Sequence, residues 1–310
     1  MSTWESRRAE FVLGLAAGVV TTTVAHPLDL LKVRLQLLQL PTLHAFGQLR
    51  RVVAGIQSDA RASYAHLNKT QPKPVYYLQQ WYRGVGPNLI GNAAAWSIYF
   101  TLYAEYKELL SGPLGGVNGD GSTSYFGASA LAGMTTSVLT NPIWVLKTRI
   151  LGSSRGPLGS YKSMADGIRR ILLEEGLATF WRGTVPSFFM VIQASVQFSL
   201  YDQLKDWSVA LAPEKLDPSQ LSLWQYIWAS VVSKTVSMCL LYPTQVVRSR
   251  LQAQTDRKEA QTIGEVCRLL WSNEGRFRGF YRGMGANMLR VLPSTCITFV
   301  TYETVKNSLS

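Results

Sequence analysis

Three short phrases each occur three times in this chain, in constant order, and that recurrence constrains the fold more than any other feature. "HPLDLLKVR" (His26 to Arg34), "NPIWVLKTR" (Asn141 to Arg149) and "YPTQVVRSR" (Tyr242 to Arg250) place prolines 115 and 101 residues apart. In step with them run "WYRG", "FWRG" and "FYRG", whose arginines Arg83, Arg182 and Arg282 are 99 and 100 residues apart. The third phrase reads "YAEYK" from Tyr103, "YDQLK" from Tyr201 and "YETVK" from Tyr302. Self-similarity at a fixed period means one structural unit built several times. We place the three units at residues 1–112, 113–213 and 214–310.

Each unit reads as an apolar span running past the proline, a basic loop with a short amphipathic helix, then a second span. Approximate spans are 11–38, 89–110, 125–151, 187–211, 221–253 and 287–309, each long enough to cross about 30 Å of hydrocarbon at about 1.5 Å per residue. The chain is 47% hydrophobic and 16% charged, against about 25% charged in soluble proteins. Its mean hydropathy is nevertheless just above zero, as expected for helices with one face toward lipid and one toward water. The net charge of +12 comes from Lys and Arg between the apolar segments, which fits the marking of one membrane side better than a nucleic-acid patch. The first loop is longer than the other two, and we assign an insertion to about residues 59–74, expected to be flexible.

Some chemistries are absent from the pattern. Cys239, Cys267 and Cys296 have neither metal spacing nor an even count, so no metal site and no disulfide framework is expected. No nucleophile–base constellation, P-loop or pair of pocket carboxylates points to an enzyme. The N-terminus lacks the acid-poor, Arg- and Ser-rich run of a transit peptide, so any targeting signal is expected to be internal.

The threefold Px[DE]xx[KR]x[KR] phrase with its even-span [FY][DE]xx[KR] companion resembles the mitochondrial carrier family over essentially the whole chain. "NPIWVLKTR" is similar to the branch that moves folate, flavin nucleotides, NAD and pyrimidine nucleotides, and "LPSTCITFVTYE" (Leu292 to Glu303) to its flavin-nucleotide and folate carriers. The resemblance implies an all-α membrane protein of three pseudo-symmetric repeats: six transmembrane helices plus short matrix helices around a central cavity. It implies a monomer in the mitochondrial inner membrane with both termini toward the intermembrane space, and cardiolipin as a structural lipid. FAD or a folate would be the transported substrate rather than a cofactor.

Asp29 and Lys32, three residues apart, share a helix face, and such acid–base sets on three helices can close a ring. In the family's pairing order this matrix gate has Asp29 meeting Lys147, Trp144 opposite Arg248, and Gln245 opposite Lys32. Only one true ion pair survives there, with a cation–π contact and a hydrogen bond in the other places. Gln36 and Gln252 match the family's braces below the ring, and Leu151 departs from them. On the cytoplasmic side Asp202 would meet Lys306, Glu303 would meet Lys107, and Lys205 would face Ala104, with Tyr103, Tyr201 and Tyr302 as braces. For Trp144, interfacial packing is the alternative.

Solute contacts are expected between the gates. Trp96 and Phe100 lie on nearly the same face as Lys107 and could stack on a planar ring; packing against a neighbouring helix is the alternative. Gly91 would open space a turn lower. Lys234 is in line with Gln245 and Arg248, where it could meet a phosphate or carboxylate, or a neighbouring helix. Arg290 sits at the level of the family's third contact point; straight-helix counting from Glu303 turns it away from the axis, and a kink at Pro293 can change that angle. His26 reads as a helix-end residue. Rival functions are a proton or fatty-acid conductor and a non-transporting interaction surface.

Overall fold

A computed structural model describes residues 3–38, 45–66, 72–111, 121–153, 161, 163–210, 223–255 and 261–291. Each repeat begins with a long helix carrying a proline inside it: α1 (Thr3–Leu37), α5 (Gly121–Gly152) and α8 (Leu223–Ala253). Short helices follow. They are α2 (Ala45–His66) and α3 (Lys73–Trp81) in the first repeat, α6 (Met164–Arg170) in the second, and α9 (Ile263–Asn273) and α10 (Phe277–Phe280) in the third. The chain then re-enters the bundle as α4 (Val85–Ser111), α7 (Thr184–Ala210) and α11 (284–291).

Among the described residues no helix is long and apolar enough, by hydropathy, to cross a membrane. The long helices carry Lys32, Asn88, Asn92, Lys147, Gln193, Lys234 and Arg248 within their length, and these polar positions lower the average.

Neighbours in sequence pack side by side, α4 on α5 and α7 on α8, while α1, α5 and α8 also touch one another. Ala286 of α11 packs on the cluster of Leu30, Val33 and Leu35 from α1, and Asn287 Nδ2 donates to Met238 Sδ of α8 at 2.6 Å. The proline-bearing helices therefore converge, and the apolar core lies at that end, around Leu30, Val145, Tyr242 and Val246. Each proline lacks the N–H for its intrahelical bond and crowds the carbonyl four residues earlier, which favours a bend at that level.

A repeated device ties the short-helix region to the converging ends. The residue before each proline is a different side chain with the same task. His26 Nε2 donates to the carbonyl of Arg83 (2.9 Å), Asn141 Nδ2 to that of Arg182 (3.0 Å), and Tyr242 OH to that of Arg282 (3.1 Å). A carbonyl only accepts, so Nε2 of His26 carries the hydrogen, and its Nδ1 faces Asn88 Nδ2 at 3.4 Å. The glycines that follow, Gly84, Gly183 and Gly283, have φ of +78°, +79° and +80°. An added Cβ would overlap Leu151 at Gly84, stand 3.0 Å from Gln252 at Gly183, and stand 3.3 Å from Gln36 at Gly283. Glycine is required there on both counts, the left-handed backbone and the close approach of the next repeat's helix.

The segment expected to be a flexible insertion is largely helical. Residues 59–66 continue α2, because Val52, Ile56 and Ala60 recur every fourth residue and are buried. Asp59 pairs with Arg34 at 3.1 Å, and residues 73–74 open α3; residues 67–71 lie outside the described residues.

Candidate functional site

Where the three helices meet, the matching slots Asp29, Trp144 and Gln245 face their neighbours' basic residues. Lys147 Nζ lies 3.4 Å from Asp29 Oδ2, and Asn88 Nδ2 donates to the same oxygen at 3.1 Å. Lys32 Nζ donates to Gln245 Oε1 at 3.1 Å, and Gln245 Nε2 passes the chain on to Gln193 Oε1 of α7 at 2.9 Å. The Trp144 ring has two cations over it, Lys147 at 5.1 Å and Arg248 at 5.9 Å from the ring centre. Its Nε1 donates to Thr140 Oγ1 one turn back, at 3.2 Å, which fixes the indole's orientation.

Arg290 occupies a place that straight-helix counting did not give it. Its Nε stands 3.2 Å from Asp29 Oδ1, the carboxylate oxygen that Lys147 leaves open. Pro293, the residue expected to change that angle, lies outside the described residues. Gly91 also departs from expectation. It is buried, with Ile143 Cγ2 3.2 Å and the Trp144 ring 3.4 Å from where a Cβ would stand, so the indole fills the space it was thought to leave.

One layer further on, Gln36 donates to Tyr242 OH (3.1 Å) and accepts from Ser249 Oγ (2.8 Å). Gln252 accepts from Thr148 Oγ1 (2.9 Å) and donates to Asn141 Oδ1 (3.2 Å). Both glutamines join neighbouring helices through neutral groups, and Leu151 in the third position is fully buried.

Trp96 and Phe100 stack at 5.6 Å between ring centres and are 62% and 59% exposed. Tyr99 meets both edge-on and stacks on Tyr103. Lys234 is half-buried and lies within electrostatic range of Arg290. At the other mouth Lys107 lies over the Tyr125 ring at 4.7 Å. Lys107 and Asp202 are exposed, Lys205 and Tyr201 half-buried. Tyr302, Glu303 and Lys306 lie outside the described residues, so the pairs expected there are not on view.

The family model described as "Mitochondrial carrier protein" matches residues 3–58, 119–210 and 219–310, one match per repeat. The chain belongs to the mitochondrial carrier family. Over 99% of this chain and 98% of the relative, it is 38% identical to a protein named mitochondrial FAD carrier from Saccharomyces cerevisiae. It is 33% identical to a mitochondrial nicotinamide adenine dinucleotide transporter from Arabidopsis thaliana, over 94% of this chain and 76% of that protein. A nicotinamide adenine dinucleotide transporter from Saccharomyces cerevisiae is 28% identical over 96% and 76%.

In this carrier a second ring, to which sequence reasoning gave no role, lies beneath the first. The last basic residue of each phrase reaches the next helix's final turn: Arg34 Nε to Leu151 O (3.1 Å), Arg149 Nε to Gln252 O (3.0 Å), Arg250 Nε to Gln36 O (2.6 Å). Arg83 joins at Ser153 O (2.6 Å), Arg182 at Gln254 O (3.1 Å), and Arg282 at Leu38 O. These carbonyls have no intrahelical donor, and the negative end of each helix dipole attracts the guanidinium. Glu175 holds Arg149 and Arg182, and Glu274 holds Arg250 and Arg282. The signal was visible as the recurring Arg-Gly, with Glu-Gly at Glu175 and Glu274.

Proposed function

We propose that this carrier moves FAD between cytosol and matrix across the mitochondrial inner membrane by alternating access. Asp29, Lys32, Trp144, Lys147, Gln245 and Arg248 form the matrix gate, and Lys107, Asp202, Lys205, Glu303 and Lys306 the cytoplasmic one. Gln36, Gln252, Tyr103, Tyr201 and Tyr302 brace them. The observation that carries this reading is the joining of α1, α5 and α8 at one end by short links that are individually weak. The covered Asp29–Lys147 pair gains Coulomb energy that its desolvation largely offsets, and a cation–π contact contributes about 0.5–2 kcal/mol. A latch built from such links holds one conformation and can still release it.

FAD as cargo is supported by the full-length similarity to a protein of that name and by the exposed Trp96–Phe100 stack, since base–aromatic stacking contributes about 1–3 kcal/mol. Termini toward the intermembrane space, a monomeric carrier and bound cardiolipin complete the reading. A second reading, an NAD carrier, is favoured by the relatives named as nicotinamide adenine dinucleotide transporters. Purified protein in liposomes, offered labelled FAD, NAD, folate and UTP, separates them: FAD accumulates under the first reading and NAD under the second. Proton leak without uptake of any of the four refutes both.

A further inference from the structure

Five residues after each Arg-Gly arginine stands a buried polar side chain: Asn88, Ser187 and Asn287. Their backbone N–H groups donate alike to the glycine carbonyl four residues back, in the first turns of α4, α7 and α11. The side chains part company. Ser187 Oγ donates to Gly183 O of its own helix at 2.8 Å, and Asn287 Nδ2 meets Met238 Sδ. Among the described residues Asn88 alone of the three reaches a slot of the ring. Its Nδ2 stands 3.1 Å from Asp29 Oδ2 and 3.4 Å from His26 Nδ1. Chemistry leaves this amide one orientation. His26 Nε2 directs its hydrogen to the carbonyl of Arg83, so Nδ1 is an acceptor, as is the Asp29 carboxylate. The two N–H groups of the amide match those two acceptors; turned over, Oδ1 would face both. The imidazole itself stacks on Tyr82 of the same corner, ring centres 6.0 Å apart. One path therefore runs from the Arg-Gly corner through His26 and Asn88 to the carboxylate oxygen that Lys147 also meets.

We infer that Asn88 is a positioning residue of the matrix gate: its amide aims Asp29 at Lys147, and it does so only while α4 is seated on α1. The contact it serves is a long one, 3.4 Å from Lys147 Nζ to Asp29 Oδ2, beyond the usual range of a strong N–H···O bond, so the aim of the carboxylate decides whether it forms. The other two slots are oriented differently, Trp144 by Thr140 of its own helix and Gln245 by Gln193 of α7. The first repeat is thus the one in which the lie of its second long helix sets the Asp29–Lys147 pair. His26 fixes the direction of the amide and acts one step further from that pair. The inference rests on the gate reading of Asp29 and Lys147, and it is the same for any cargo.

The test uses the full-length protein with Asn88→Ser, Lys147→Gln or both, reading uptake of labelled FAD by liposomes and thermal unfolding in detergent. Serine is what the second repeat holds at this place, where it turns to its own helix. Asn88→Ser and Lys147→Gln are each expected to lower uptake by about ten-fold, the scale of one hydrogen bond to a charged group. Both act on one carboxylate oxygen, so the double variant is expected to match the weaker single variant within about two-fold. The losses in unfolding temperature are expected to fall short of additivity in the same way. A role for Asn88 in packing alone gives losses that multiply, and that result overturns the proposal. Asn88→Ser with the parent's uptake overturns it too. If Asn88→Ser does not fold, Asn88→Leu, which keeps the volume of the amide, takes its place in the same cycle. Lys147→Gln with the parent's uptake removes the gate reading and this inference with it. No FAD uptake by the parent removes the cargo alone, because the unfolding temperatures read the coupling without a solute.

Discussion

Asn141 Nδ2 donates to the carbonyl of Arg182 at 3.0 Å, and also to that of Phe180 at 2.8 Å, from a fully buried position. Asn141→Ala leaves two carbonyls without that donor and Gln252 Nε2 without its acceptor. Buried polar groups left unpaired cost about 1–3 kcal/mol, so a fall of several degrees in unfolding temperature is expected. Asn141→His, which keeps a donor as His26 does in the first repeat, is expected to lose less. Equal losses would show that volume, not the hydrogen bond, sets the requirement.

Gly84 combines a φ of +78° with a neighbour, Leu151, that leaves no room for a Cβ. Gly84→Ala is expected to destabilise by about 1–3 kcal/mol from backbone strain, with the overlap added. Leu151→Ala opens a cavity at a fully buried leucine and is itself destabilising by about 2–5 kcal/mol. It also removes the overlap, so the double variant is expected to lose less unfolding temperature than the sum of the two single losses.

Much of this was legible because one phrase recurs three times. The repeat marks the slots, and the family's pairing order says which faces which: Asp29 and Lys147, Lys32 and Gln245, and Trp144 and Arg248 stand 3.4, 3.1 and 5.9 Å apart. The Arg-Gly phrases were equally visible, yet their task was not. Arg83, Arg182 and Arg282 act through backbone carbonyls of another repeat, and a carbonyl leaves no mark in sequence. His26, Asn141 and Tyr242 escaped for a related reason: imidazole, amide and phenol look unlike while supplying one donor each. The direction of Arg290 stayed open in the sequence because Pro293 stands between it and Glu303, and a straight-helix count does not carry across a proline. Residues 59–66 were taken for a loop because a longer connection suggested an insertion, although Val52, Ile56 and Ala60 already showed helical spacing.

Asp29→Asn removes the carboxylate that holds both Lys147 and Arg290. Transport by liposomes containing this variant is expected to fall by about ten-fold or more, since two charged groups lose a partner. Exchanging the two charges, Asp29→Lys with Lys147→Asp, is expected to recover part of the rate. Recovery absent from the exchange, in a protein of normal unfolding temperature, would separate this pair from gating.

Trp144→Ala removes the ring shared by Lys147 and Arg248. At about 0.5–2 kcal/mol for the contact, uptake is expected to weaken by roughly two- to thirty-fold without a change in which solute is preferred. Trp144→Phe keeps a π face and is expected to retain most of the rate. A clean switch of preference from one solute to another would move Trp144 from the gate to the binding surface.

Trp96→Ala is expected to raise KM for a ring-bearing solute by about five-fold or more, from the loss of a stacking contact, with little effect on unfolding because the residue is exposed. An unchanged KM in uptake assays would place the Trp96–Phe100 stack against lipid.

Under the proposed alternating access, the convergence of α1, α5 and α8 is a state the protein leaves in each transport cycle. Gln36 and Ser249 mark it, their side chains 2.8 Å apart across α1 and α8. With Cys239, Cys267 and Cys296 replaced by serine, the double variant Gln36→Cys and Ser249→Cys can be joined by a short bifunctional thiol reagent that reduction releases. Joined protein in liposomes is expected to lose uptake and to regain it on reduction, while each single-cysteine variant is unaffected by the reagent. Undiminished uptake by fully joined protein would contradict the account.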